Sequence, residues 1–440
     1  MAEIAPFRGI LYDPSRVDAS RVLAPPYDVI DAEERGQLMA LDPHNAVRLI
    51  LPDGEGDAKY PEAARVLDAW LADGSLQRDA RPALYRYHQV FTSAELGGRT
   101  VTRRGFIAAV RLHRFEERIV LPHERTLSGP KADRLKLMDA TSAHFSQIFT
   151  MYSDPAGETD RAFAPAERRT PTLDGTTADG TRHVLWRVDD AETIGRVARH
   201  LAPLPLYIAD GHHRYETMLA LRDRMRERAG GASDPRSPAE FGTLFLCNMD
   251  DPGLVVLPIH RLVSGLADFQ PDTFLAKVAP WFDATPLVGA ALDADQVRTA
   301  LADSSRLRPS FVAAFPGRDP VLLALRASVS PASAGVAGPS AVSGLDVSVL
   351  HGLVLEQALG IDRAAQEAQT NIDYVKDTAK ALRRVAAGEG QVAFLMHATR
   401  IDQVKAVADA GEFMPQKSTF FYPKIASGVV INPIRPDEAL

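Results

Sequence analysis

The sequence predicts an α+β protein built on a mixed sheet, and two patterns carry that expectation. Runs rich in β-branched and aromatic residues recur at 83–91, 104–113, 241–249 and 391–398, as in strands buried in a sheet. Stretches with helical spacing of apolar residues lie among them at 61–73, 191–201, 350–359 and 401–412, several with recognisable start or stop residues. With 440 residues and no internal repeat, the chain is long enough for two or three domains.

Composition narrows the class. Hydrophobic residues make up 45% and charged residues 24%, with a net charge of -7, an ordinary globular balance. No basic stripe points to nucleic acid or a membrane surface as partner. The one cysteine, Cys247, excludes a disulfide framework or a cysteine-based zinc site within the chain and fits a reducing cytoplasm. The N-terminus lacks the basic and apolar regions of a signal peptide. No run of about 18 apolar residues predicts a membrane span.

In chain order, APPYDVI (24–30) is a rigid, extended stretch ending in an acid, with no readable chemistry. The helix over 61–73 starts at Pro61, and Val66, Leu67, Trp70 and Leu71 share one face. ALYRYHQVF and RGFIAAVRLH follow as strands, with the turn signal ELGG between them. The polar stretch 153–183 reads as an extended loop or loose hairpin. A helix over 191–201 precedes PLYIADGHHRYETML (205–219), a strand running into a helix. FGTLFLCNM (241–249) and PGLVVLPIH (252–260) are strand candidates. Residues 327–344, rich in Ala, Ser, Gly and Pro, read as a mobile surface loop. LHGLVLEQAL (350–359) reads as a helix, QVAFLMHA (391–398) as a buried strand, and IDQVKAVADAGE (401–412) as a helix stopped by Gly411.

Three of these stretches carry groups that plain structure does not require. Asp210-Gly211-His212-His213-Arg214 sits at a strand-to-helix junction, where free backbone N–H groups favour an anion. Two imidazoles and a guanidinium at the positive end of a helix make sense if an anion binds there. The alternative is a solvated turn with an aspartate cap. Adjacent histidines do not match the i, i+4 spacing of a helical zinc pair. In Val120–Thr126, Glu124 after Pro122-His123 is a candidate general base, or one half of a surface ion pair. Ser128, Gly129 and Lys131 follow, as phosphate ligands or as a capped turn. In MPQKSTFFYPK (414–424), Lys417, Ser418 and Thr419 offer a point charge, two hydroxyls and N–H groups to a phosphate. The aromatic run after them reads as packing, with a base pocket as the alternative. No GxxxxGK[ST] P-loop occurs.

Taken together, APPYDVI, LPHERTLSGPKADRL, YIADGHHRYET, NMDDPGLVVLPIHRLV and MPQKSTFFYPK resemble the DUF1015 family over nearly the full length. More remotely, the order Pro-His-Glu, Asp-Gly-His-His-Arg and a C-terminal Lys-Ser-Thr loop is similar to the free serine kinases of the ParB/sulfiredoxin superfamily. That second resemblance implies a ParB/sulfiredoxin-like catalytic core at 116–265. An added N-terminal α+β region would cover 1–115, and a C-terminal α+β region, 266–440, would complete the phosphate site. It implies transfer of a phosphoryl group from ADP or ATP, with Mg2+, to the hydroxyl of free L-serine, possible in both directions. Glu124, Asp210 and His213 would be catalytic, with Asp210 also a metal-side acid. Gly211, His212, Arg214, Ser128, Lys131, Lys417, Ser418 and Thr419 would hold nucleotide phosphates. The pattern departs from those kinases in the longer gap between Glu124 and Asp210 and in Pro130, which stands where a second carboxylate is expected. Other readings are a ParB-like nucleotide-binding regulator and a phosphoester hydrolase. Each implies small-molecule partners, without nucleic acid or membrane.

Overall fold

The computed structural model describes the chain except residues 127–128, 232–233, 291, 305–307, 436–437 and 439. The strands of the large sheet are β1 (Ile4–Ala5), β2 (Leu84–Thr92), β3 (Thr100–Arg111), β4 (Val120–Leu121), β5 (Ile148–Tyr152), β6 (Leu173–Thr176), β7 (Arg182–Val188), β8 (Leu206–Asp210) and β9 (Phe241–Asn248). Among the described residues these nine form one sheet, in the order β4-β8-β5-β9-β3-β2-β7-β6, with β1 added beside β3. The pairs β4/β8 and β5/β9 are parallel and the rest antiparallel, so the sheet is mixed, as expected. It takes strands from both sides of the boundary expected at residue 115.

Alternation along β3 shows why the sheet is buried on both sides. Phe106, Ala108 and Val110 enter one core cluster, while Ile107 and Ala109 enter another, as period-2 geometry requires. Helices α1 (Lys59–Ala72) and α2 (Gly129–Thr141) pack on each other beside the sheet. The face bearing Phe106 is covered by α3 (Glu158–Glu167), α4 (Ala191–Leu201) and α5 (His212–Arg228), through Phe163, Leu201 and Tyr215. The opposite face is closed by the returning C-terminal segment, through Phe421, Ile425 and Val429. Double coverage explains the near-continuous apolar run of β9, buried along its whole length.

The 252–260 stretch is two strands rather than one. β10 (Val255–Leu257) and β11 (His260–Val263) are separated at Pro258, whose missing N–H interrupts a ladder. β11 joins a second sheet with β12 (Phe282–Pro286), β13 (Ser310–Ala314), β14 (Val321–Leu325), β15 (Ile372–Val375) and β16 (Val392–Met396), in the order β12-β14-β13-β16-β11-β15. β10 instead pairs antiparallel with β17 (Phe420–Tyr422).

Two loop expectations are corrected. Within 153–183, α3 forms because both Asp154 carboxylate oxygens accept first-turn N–H groups, from Glu158 at 3.1 Å and Thr159 at 2.8 Å. Ala162, Phe163 and Ala166 then give it a buried face, and β6 and β7 form the hairpin after it. Within 327–344, Val336 and Val342 are buried, so this small-residue stretch is anchored rather than free along its length. Its neighbour α6 (Leu350–Ala358) is a π-helix, not the ordinary helix its apolar spacing predicts. The chain then continues through α7 (Arg363–Ala368) and α8 (Ile401–Asp409). Among the described residues no helix is long and apolar enough to cross a membrane.

Gly105 marks the tightest point of the first sheet. A Cβ there would overlap the Phe245 ring and lie 2.6 Å from the Leu246 carbonyl oxygen. Gly105→Ala should therefore lower the unfolding free energy by about 1–3 kcal/mol, measured as a shifted urea midpoint. An unchanged midpoint would show that this strand crossing has slack.

Candidate functional site

The parallel pairing of β4 and β8 brings two distant motifs together. Val120 lies opposite Leu206 and Leu121 opposite Tyr207. Pro122-His123-Glu124 and Asp210-Gly211-His212 therefore leave the carboxyl ends of adjacent parallel strands, where open α/β sheets commonly bind ligands. Gly211 makes the turn into α5 with φ 93°, a conformation that favours glycine.

His123 joins these motifs to the C-terminal segment 414–424, whose strand β17 pairs with β10. Its Nδ1 lies 2.8 Å from the Ile208 carbonyl oxygen and so must carry the proton. Nε2 is then an acceptor, 3.1 Å from the Thr419 hydroxyl. Its backbone N–H donates to His212 Nε2 at 3.3 Å, and its carbonyl accepts the Met414 N–H at 2.8 Å. The two imidazoles meet edge to face at 4.8 Å. Burial pushes the His123 pKa down to about 4 and that of His212 well below the usual range, His123 adding to the second shift.

Asp210 is the centre of charge. One carboxylate oxygen pairs with Lys424, and the other accepts from Arg214 at 2.9 Å. Burial would raise its pKa, but the two cations outweigh burial and hold it below the usual carboxylate range. Arg214 also donates to the Gln147 carbonyl at 2.6 Å, so its guanidinium braces β5 against α5. His212 is likewise committed to packing. Both were expected on phosphate, and both hold the junction in this structure. Nor does Asp210 fit Mg2+ as it stands, since a cation lies on each of its oxygens. Among the described residues no group of three or more His, Cys, Asp or Glu could hold a metal.

Glu124 is partly exposed and faces this cluster. Burial raises its pKa above the ordinary glutamate value, and nearby Asp210 adds to the rise. The Lys417 and Lys424 ammoniums and the Lys417 backbone N–H pull the other way. Lys417 itself is exposed, in the left-handed region at φ 57°. The Ser418 hydroxyl donates to the Pro415 carbonyl, and its own carbonyl accepts from Thr399 at 2.5 Å. Thr419 is held by His123. The two hydroxyls of the expected phosphate loop thus shape the turn, leaving Lys417 as its outward charge. Lys131 pairs with Glu216, as does the Thr126 hydroxyl. Burial lowers the His213 pKa, as do Lys131 and Lys417, against Glu216 and Asp28. Ser128 lies outside the described residues.

Several contributing residues escaped the sequence reading. Lys424 closes the quoted run MPQKSTFFYPK, and its role shows only once the segment folds back on β8. Lys376, just past β15, lies 4.2 Å from the centre of the Phe420 ring, and Lys424 lies 5.6 Å from it. Burial lowers the Lys376 pKa, and the Lys424 and Lys417 charges lower it further. Asp28, from APPYDVI, acts on both His213 and Lys376. The segment 414–424 is gripped from below by two buried arginines. Arg103 donates to the carbonyls of Tyr422 at 3.3 Å and Pro423 at 2.5 Å, and to the Gln89 side chain. Arg261 donates to the Lys417 carbonyl at 2.9 Å. Neither has a carboxylate partner among the described residues, and burial brings each pKa down to about 10.

A family model described as "Protein of unknown function (DUF1015)" matches residues 4–348, and the chain belongs to this family. Among solved structures it is similar to a free serine kinase variant in complex with AMP, with a TM-score of 0.35 and 11% identity over 73% of this chain and 90% of that chain. A conserved hypothetical protein from Pyrococcus furiosus matches at TM-score 0.30 and 12% identity, over 72% and 90% of the two chains. SbnI with a C-terminal truncation from Staphylococcus aureus matches at TM-score 0.31 and 8% identity, over 76% and 90%. No curated protein matches.

Two outcomes test this geometry. His123 is neutral in the fold with its pKa near 4 and near 6.5 when unfolded. Its contribution is complete above pH 6.5 and is lost as pH falls towards 4, by about 3 kcal/mol in all. The slope of urea stability between pH 7 and 5 should be shallower in His123→Phe than in the parent, and equal slopes would contradict a buried neutral imidazole. Arg103→Met leaves three buried acceptors without their donor, which should cost about 2–4 kcal/mol in a denaturant melt.

Proposed function

We propose that this site transfers a phosphoryl group between a nucleoside phosphate and a small-molecule hydroxyl, with L-serine as the acceptor that the motif order suggests. The observation that carries the reading is the pairing of a carboxylate, Glu124, with three lysines, two flanking β17 and one just past β15. Burial lowers the Lys376 pKa most, and the Lys424 and Lys417 charges lower it further, so the three lysines repel one another. Asp210 and Asp28 offset only part of that charge. A polyanion would relieve the repulsion, and phosphoryl transfer needs mainly such charge neutralisation and positioning.

In the forward direction the acceptor hydroxyl gives its proton to Glu124 as its oxygen attacks phosphorus. The bond from phosphorus to the nucleotide's bridging oxygen breaks, and the leaving phosphate carries away that electron pair. A carboxylate whose pKa is raised above the ordinary value is a better base than an unperturbed one. Lys417 and Lys424 neutralise the phosphate oxygens. Mg2+ in such reactions is held largely by substrate phosphates.

Phosphorus NMR of the protein with serine, Mg2+ and in turn ADP, ATP and pyrophosphate tests the reading. A phosphomonoester signal matched by loss of donor is expected. Inorganic phosphate without a monoester would point to a hydrolase, and no turnover in either direction would refute transfer. Glu124→Gln should lose transfer by about 100-fold or more while keeping nucleotide affinity. A nucleotide-binding regulator would instead keep all its activity in that variant.

A further inference from the structure

Beside the lysine-bearing segment 414–424 lies a second cavity of about 380 Å³ that the transfer chemistry does not use. The 336–342 stretch, the π-helix α6 and α7 line it, and residues 412–416 close it at the start of that segment. Met414, Pro415 and Gln416 form that wall, and the next residue is Lys417. Arg125, next to Glu124, also lines it. Both halves of the charged site thus have a sequence neighbour in the cavity wall.

Its lining mixes apolar side chains such as Val336 and Val342 with charged ones, Arg363, Glu367 and Glu412 among them, and it has the size of a small-molecule pocket. Ser348 is 5% exposed. Neither its hydroxyl nor His351 Nε2 has a hydrogen-bond partner among the described residues, although buried polar groups are nearly always satisfied. Both side chains line the cavity. They lie at and just before α6, and π-turns are rare and concentrated at functional sites. Burial keeps His351 neutral, so the two atoms suit an uncharged ring with donor and acceptor edges rather than a second ion. Tyr374 and Phe413 supply aromatic wall.

We propose that this cavity is the nucleoside subsite, taking the heterocyclic base of the nucleoside phosphate whose phosphates lie on Lys417 and Lys424. The assignment rests on the phosphate reading above, and the two can fail separately. Pyrophosphate is a probe without a base, and ADP is the same anion with one. Gly352 lines the cavity, and a Cβ there has only ordinary contacts of 3.4–3.6 Å with Val336. Gly352→Leu should therefore fill the space, while Ser348→Ala removes a hydroxyl at nearly constant volume.

Calorimetric titration of the full chain with ADP and with pyrophosphate tests this. Each variant should weaken ADP by about tenfold or more and leave pyrophosphate within about twofold. ADP affinity unchanged in both variants overturns the subsite, as does an equal loss of both ligands in Ser348→Ala. Equal affinity of the parent protein for ADP and pyrophosphate also overturns it while leaving the phosphate reading intact. A parent protein that binds neither ligand defeats the phosphate reading itself.

Discussion

One neutral imidazole makes the candidate site a single unit. His123 touches the β8 backbone through Nδ1, the C-terminal segment through Nε2 and its carbonyl, and the first turn of α5 through its N–H. The strand-to-helix junction, 85 to 89 residues further on, and Thr419, 296 residues further on, are fixed by hydrogen bonds to one residue. The bond from Thr419 needs the imidazole uncharged, with the proton on Nδ1 and Nε2 free to accept. A proton on Nε2 as well would turn the Thr419 acceptor into a second donor. Burial prevents that, and the dry interior that holds the tautomer also strengthens the hydrogen bonds.

Charge is arranged around that neutral centre in two tiers. Arg103 and Arg261 are buried under the C-terminal segment and spend their donors mainly on its carbonyls. They shape the backbone that presents Lys417 and Lys424. An unpaired buried guanidinium is costly, and its retention twice under one segment is consistent with a site that needs positive potential there. Above them, Lys424 lies on Asp210, Lys376 on the Phe420 ring, and Glu124 faces Lys417. The chain as a whole is acidic, so the positive field is local.

The sequence made the strands readable because two-sided burial leaves near-continuous apolar runs, as in β9. It made the motifs readable because Asp210–Arg214 and Lys417–Thr419 crowd polar groups where plain structure needs none. It could not decide the roles within them. A guanidinium at a helix start can face a ligand or turn back to a carbonyl, and only the position of Gln147 decides that for Arg214. Whether His212 serves packing or phosphate likewise depends on His123, 89 residues earlier. Lys424, Lys376 and Asp28 were invisible as site residues because each reaches the cluster through long-range pairing. Helix α3 was missed because its apolar face is only three residues wide in an otherwise polar stretch. The π-helix has no sequence signature distinct from an ordinary apolar helix.

The most direct measurement is a crystal structure of the chain with ADP. The terminal phosphate is expected between Lys417 and Lys424, with Glu124 facing the side from which a hydroxyl would approach. Phosphates bound elsewhere, with Lys424 still on Asp210 and Lys417 open to solvent, would contradict the assignment of this segment as the phosphate seat.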